Sequence, residues 1–168
     1  AGVKAAEAAL AVGEDELYIG IVNYDVNSAN GQQRELGFRQ TVEQDPRVKD
    51  ITTINVLSTT EDARAGTKEM LLSDSRINVV VTFNEWTSLG VGWAIRDLNR
   101  ADRIQVVAFD SNVVSVGMLE TGEVDALIVQ NPYAMGYLGV ETAANLINGQ
   151  TGGPSVIDTA TTIVTREN

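Results

Sequence analysis

The sequence contains no cysteine and no histidine. Their absence excludes disulfide bonds, thiol nucleophiles and Ser–His–Asp triads, and it excludes thiolate or imidazole ligation of a metal. No run of about 18 consecutive apolar residues occurs, so the sequence predicts no membrane-spanning helix. The usual routes to catalysis are therefore closed, whereas carboxylate chemistry and metal binding through oxygen ligands alone stay open. The sequence favours a protein that is not an enzyme and that uses neither a cofactor nor a metal.

Basic residues are also scarce. The chain has 12 basic and 23 acidic residues, which gives a formal net charge of -11. A field of this sign repels phosphate backbones, so we expect no nucleic-acid partner. The apolar fraction of 43% and the charged fraction of 21% are typical of a globular protein, and 168 residues suffice for one ordinary core.

Predicted helices and strands alternate along the chain. The helices are expected at 1–12, 32–44, 60–73, 86–99, 112–120 and 133–148, and the strands at 17–22, 51–57, 77–83, 104–109 and 124–129. A further extended segment follows at 155–165. Alternation of this kind indicates right-handed crossovers and a parallel sheet. The predicted fold class is α/β, a three-layer open sheet of about five parallel strands with helices on both faces.

Four residues are predicted to mark helix ends. Gly13 is expected to close the first helix and Thr60 to cap the start of the third. Pro132 fits the first turn of the last helix, and Gly149 fits the position just after its end.

A polar residue follows each predicted strand, and in an open α/β sheet ligands bind beyond the carboxyl ends of the strands. The residues are Asn23 and Asp25, Thr59 and Thr60, Asn84, Asp110, and Gln130. Each taken alone is readily explained as a helix cap or a turn residue. Polar residues at all five strand ends together favour a binding site, particularly because glutamine is not a favoured cap.

The chemistry of these side chains suits a small polyhydroxylated molecule, since amides donate and accept and a carboxylate accepts from two adjacent hydroxyls. Arg34 adds a fork of donors at the start of the second helix, with a solvated surface charge as the alternative. Trp86 is the best candidate for a flat apolar platform against a sugar ring. Asp25, Asp110 and Glu85 offer only a weak pattern for a hard cation. No glycine-rich phosphate loop follows the first strand.

Several stretches carry a family resemblance. They are RELGF at 34–38, NEWTSLG at 84–90, VVAFD at 106–110, GEV at 122–124, VQNPYAMGY at 129–137 and VTREN at 164–168. They resemble the ribose-binding-protein-like family, the type I periplasmic binding proteins that serve ABC sugar importers. Glu85 stands where that pattern usually has aspartate, and Thr87 and Ser88 are more polar than the pattern.

The resemblance implies that Arg34, Asn84, Asp110 and Gln130 hydrogen-bond a monosaccharide-like ligand. It also implies two lobes that close on the ligand, of which this chain matches the carboxyl-terminal one. Residues 1–130 would form that lobe, and 131–153 would be a crossover and a helix that belong in the family to the missing amino-terminal lobe. Residues 154–168 would be the returning strand and tail. We therefore expect helix 133–148 to be displaced, or to pack against the missing lobe or another chain.

The implied function is that of the solute-binding component of an ABC-type sugar importer, with the permease subunits as partners. The implied location is periplasmic or extracellular, with a lipid anchor in a Gram-positive organism. The alternative is the inducer-binding domain of a lactose-repressor-type transcription regulator. A small flavodoxin-like enzyme is the least favoured hypothesis, because histidine, cysteine and a phosphate loop are all lacking.

Overall fold

The computed structural model describes all residues from Ala1 to Asn168 and contains six helices and six strands. In chain order these are α1 (Gly2–Leu10), β1 (Leu17–Tyr24), α2 (Ala29–Val42), β2 (Val48–Val56), α3 (Thr60–Ser73), β3 (Val79–Thr82), α4 (Glu85–Leu98), β4 (Gln105–Phe109), α5 (Val113–Thr121), β5 (Ala126–Gln130), α6 (Pro132–Ile147) and β6 (Thr161–Thr165). None of the helices combines the length and the apolar character that crossing a bilayer requires.

The strands form one sheet in the order β2-β1-β3-β4-β5-β6. The first five run parallel, which confirms the predicted α/β class. β6 is the exception, because it pairs antiparallel with β5 and adds a sixth strand inside the segment predicted only as extended. The chain moves outward from β1 to β2 and then crosses back to β3, so the topological switch point lies between β1 and β3.

The sheet is buried on both faces. One core cluster joins α1 and α2 to alternate strand residues such as Ile21, Val81 and Val107. The other joins α3, α4 and α5 to the intervening residues, among them Val80 and Ala108. Alternate side chains of a strand point to opposite faces, so continuous apolar runs such as that of β3 fill both layers.

The last helix differs from the other five. None of the residues of α6 is buried, and Val140 and Ile147 are 73% and 85% exposed. Asn131 caps its start, since the Asn131 side chain accepts from the backbone N–H of Ala134.

Two of the four predicted helix ends are confirmed and two are wrong. Pro132 occupies the first turn of α6, and Gly149 follows it with a left-handed φ of 79°. Gly13 does not close α1, which ends at Leu10 with Ala11 as its C-cap. The Arg47 guanidinium donates to the carbonyls of Leu10 and Val12, so these groups are satisfied without a further helical turn. Thr59 rather than Thr60 caps α3, since Thr59 is still extended and its hydroxyl accepts from the Asp62 N–H.

Candidate functional site

The carboxyl ends of the five parallel strands meet at one edge of the sheet, which we call the carboxyl edge. Arg34 reaches this edge from α2. Its Nη2 donates to Gln130 Oε1 at 2.8 Å, and its Nη1 donates to the carbonyl oxygen of Phe83. The guanidinium carbon lies 4.9 Å from the centroid of the Phe109 ring. A cation over a buried aromatic face is held in position as well as attracted.

Gln130 continues the chain of contacts. It is the last residue of β5, and its Nε2 donates to Asp110 Oδ1 at 2.7 Å. Arg34, Gln130 and Asp110 thus form one hydrogen-bonded series that spans α2, β5 and the end of β4; we call it the Arg34–Gln130–Asp110 chain. Neither the guanidinium nor the carboxylate in it forms an ion pair within the protein. Both keep unused hydrogen-bonding capacity toward solvent.

The backbone at Asp110 has an unusual conformation. Its φ of 64° is left-handed, a region that aspartate tolerates better than most residues. Its N–H still donates to the Ile128 carbonyl at 3.1 Å, so the turn is tied to β5. The strand therefore ends abruptly with the carboxylate beside Gln130. A shallow depression of about 270 Å³ adjoins both residues and is otherwise lined by Ser111, Val129, Pro132 and Met135.

Asn84 follows Phe83, whose carbonyl accepts from Arg34, and both polar atoms of the Asn84 side chain have partners within the protein. Its Oδ1 accepts from the Thr87 N–H at 2.9 Å and caps α4. Its Nδ2 donates to Ser58 Oγ at 2.7 Å and so links the loop after β2. The helix-cap explanation is correct for the oxygen, and the amide nitrogen binds the hydroxyl of Ser58.

Trp86 and Asp25 lie at the same edge but outside the hydrogen-bonded group. Trp86 is 53% exposed at the first turn of α4. Asp25 follows β1, and its Oδ1 accepts from the Asn27 N–H at 3.0 Å in a local turn. The carboxylates of the chain do not gather into a cation-binding group of three, so the weak pattern of Asp25, Asp110 and Glu85 gains no support.

Two polar residues at this edge are not among the predicted site residues, although the sequence marks Ser88 as more polar than the family pattern. Asn112 caps α5 and donates through Nδ2 to Glu85 Oε1 at 2.7 Å, which joins the loops after β3 and β4. Ser88 is buried in α4 and contacts the end of β4. The available signal was a polar side chain at position i+4 from Asn84 on a helix face that is otherwise small and apolar.

The fold and this edge define an open α/β lobe that presents a carboxylate, two amides and a guanidinium at the ends of its strands. The chain belongs to the family described as periplasmic binding protein domain, which matches residues 1–151.

Named relatives agree with this assignment. A D-ribose/D-allose-binding protein of Pseudomonas aeruginosa is 28% identical over 142 residues, which make up 84% of this chain and 43% of that protein. A ribose import binding protein of Haemophilus influenzae is 29% identical over 84 residues, or 50% of this chain and 28% of that protein. The match thus spans less than half the length of either relative.

Solved structures extend the likeness to the whole chain. A carbohydrate transporter solute-binding protein of Agrobacterium radiobacter, in complex with D-arabinose, superposes with a TM-score of 0.93 at 27% identity over 99% of this chain and 58% of that one. A solute-binding protein of Agrobacterium vitis bound to α-D-tagatopyranose gives 0.92 at 27% identity over 99% and 56%. The observed fold is that of one part of such proteins.

Proposed function

We propose that this chain is the carboxyl-terminal lobe of the solute-binding component of an ABC-type sugar importer, and that its carboxyl edge provides half of the site for a monosaccharide. The proposed ligand-binding residues are Arg34, Asn84, Asp110 and Gln130, with Trp86 and Asp25 at the margin. The proposed role is binding rather than catalysis.

The Arg34–Gln130–Asp110 chain is the observation that carries the proposal. A sugar presents adjacent hydroxyls that both donate and accept, and this group offers an acceptor-only carboxylate, a donor-only guanidinium and an amide that does both. Charge-assisted hydrogen bonds of this kind are stronger than neutral ones. Since the three side chains hold one another in place, little side-chain entropy is lost when the ligand arrives.

The division of the chain supports a site shared with a second lobe. We propose that residues 1–130 form the lobe itself, that 131–153 cross to the amino-terminal lobe and contribute α6 to it, and that 154–168 return as β6 and the tail. The lack of any buried residue in α6 supports its assignment to a partner surface. Closure of the two lobes would surround the sugar and exclude water, and permease subunits would recognise the closed form. The proposed location is periplasmic or extracellular.

The test is a sugar titration of this chain followed by ¹H–¹⁵N NMR. D-ribose, D-allose and D-arabinose are added at millimolar concentrations, with betaine as a non-sugar control. We expect weak binding, because one lobe supplies only part of the contacts, with shifts at the amides of Asp110, Gln130 and Asn84. Arg34→Gln and Asp110→Asn should each weaken the response about tenfold, as expected for loss of a charge-assisted hydrogen bond.

The matched control is Asp102→Asn, which makes the same chemical change in the exposed turn before β4, at the opposite edge of the sheet. It should leave the titration unchanged. The proposal is overturned if no sugar shifts the edge amides, or if Arg34→Gln and Asp110→Asn respond as the unaltered chain does.

A further inference from the structure

The side chain of Ser88 lies in an unusually polar pocket for a residue that is only 1% exposed. Four polar atoms surround its Oγ. They are the Asn84 carbonyl oxygen at 2.7 Å, Thr82 Oγ1 at 2.6 Å, the Phe109 N at 2.9 Å and the Phe109 carbonyl oxygen at 3.1 Å.

One arrangement uses the full capacity of this hydroxyl, which has one donor and two acceptor sites. The Phe109 N–H and the Thr82 hydroxyl both donate to Ser88 Oγ, and the Ser88 hydroxyl donates to the Asn84 carbonyl. The Phe109 N–H therefore has a side-chain acceptor in place of the backbone acceptor that a neighbouring strand would supply. A buried N–H without an acceptor is costly, so Ser88 is needed at this point.

The contact lies where the backbone ladder between β3 and β4 ends. Paired residues run only from Val79 with Gln105 to Val81 with Val107. Beyond that pair, Ser88 Oγ replaces the backbone acceptor of β3, and its bond with the Phe109 N–H joins the end of β4 to the first turn of α4. Asp110 follows β4 directly and has a left-handed φ, and Asn84 lies two residues after the end of β3.

We infer that Ser88 is a positioning residue for the carboxyl edge: it sets the spacing between Asn84 and Asp110 without touching the ligand. The inference rests on the proposed sugar site. It assigns Ser88 a part in affinity that a merely buried, hydrogen-bonded serine would not have.

Ser88→Ala is the decisive variant, because alanine fits a buried helix position and removes only the hydroxyl. We expect sugar binding about five- to tenfold weaker, measured by the same NMR titration at a temperature where the variant is fully folded. The amide signals of Phe109 and Asp110 should move in the absence of sugar. Ser73→Ala is the matched control, since that hydroxyl donates only to the Met70 carbonyl of its own helix.

Thr82→Val separates positioning from general packing. It removes the other hydroxyl of the same cluster but keeps the bond from Phe109 to Ser88, so sugar binding should remain near that of the unaltered chain even if stability falls. The inference is overturned if Ser88→Ala binds sugar as tightly as the unaltered chain, or if Thr82→Val weakens binding as much as Ser88→Ala.

Should Ser88→Ala fail to fold, hydrogen exchange in the unaltered chain gives the answer. Sugar should slow exchange of the Phe109 amide more than that of the Val106 amide, and equal slowing would overturn the inference. If no sugar binds the unaltered chain at all, the proposed function itself has failed. If Arg34→Gln weakens binding while Ser88→Ala does not, only the role of Ser88 is wrong.

Discussion

Residues 1–130 and residues 131–168 differ sharply in how they use their apolar side chains. All 45 buried residues belong to the first region, which we call the body, and none to the second. All nine ion pairs also lie in the body. Yet α6 is as rich in apolar residues as the buried helices, with Tyr133, Tyr137 and Val140 along an open groove. Apolar composition therefore does not by itself show which surface covers a helix.

Hydrogen exchange should show the largest contrast between the two regions. The amides of Val80 and Val107 lie in the centre of the sheet and exchange only through global unfolding. The amides of Val140 and Ala143 depend on a helix without tertiary packing, which is marginal in water at this length. We expect α6 amides to exchange at least about a thousandfold faster. Comparable protection would show that α6 is packed in solution.

Large-to-small substitutions should lower the free energy of unfolding much more in the body than in α6. Phe83 is fully buried with its ring edge-on to both Phe38 and Phe109. Phe83→Ala should lower the free energy of unfolding by about 3–5 kcal/mol in urea denaturation. Leu146→Ala, at a residue 62% exposed on α6, should change it by less than about 0.5 kcal/mol. Similar losses at both sites would contradict the division.

The same substitution at two helical glycines, one in the body and one in α6, tests the contrast more directly. A Cβ on Gly90 would lie 2.5 Å from Ala63 Cβ and 2.6 Å from the Thr60 carbonyl oxygen, so α3 and α4 must separate. Gly90→Ala should cost about 1–3 kcal/mol. A Cβ on Gly136 in α6 meets nothing within 4 Å.

Gly136→Ala should therefore stabilise α6 by about 0.5–1 kcal/mol through helix propensity alone, seen as increased helical circular dichroism. A neutral Gly90→Ala, or a harmful Gly136→Ala, would refute the prediction.

The smallest effect concerns pH. The hydrogen bond from Arg64 and, to a smaller extent, that from Lys68 lower the pKa of Asp97 to about 2. A carboxyl whose folded pKa is lowered stabilises the fold at pH values above its unfolded pKa, and that contribution is lost as the pH falls from about 4 to about 2. Asp97→Asn should thus reduce stability at neutral pH and lose this difference in acid.

Glu141→Gln in α6 is the control for this titration, because Glu141 has no ion-pair partner. Urea denaturation between pH 2 and pH 7 should show no comparable change for it. If Asp97→Asn left the pH dependence of the free energy of unfolding unchanged, the ion pair of Asp97 would not contribute to acid stability.

Strand and helix order was predictable from sequence because apolar runs and amphipathic stretches alternate so regularly. The antiparallel pairing of β6 was not, since a run of threonine, valine and isoleucine does not reveal its partner or direction. Arg34, Asp110 and Gln130 could be placed at one edge from the parallel topology alone. Their mutual hydrogen bonds and the proposed role of Ser88 depend on side-chain distances that residue spacing does not contain.

The pairing of β5 with β6 has a mechanical consequence for the helix between them. The chain leaves the sheet after Gln130 and returns at Thr161, and these two residues are themselves the last pair of that ladder. Everything between them is therefore attached at a single double-stranded point. A displacement of α6 is transmitted to the body through Gln130 and its ladder partner Thr161, and Gln130 is also hydrogen-bonded to both Arg34 and Asp110.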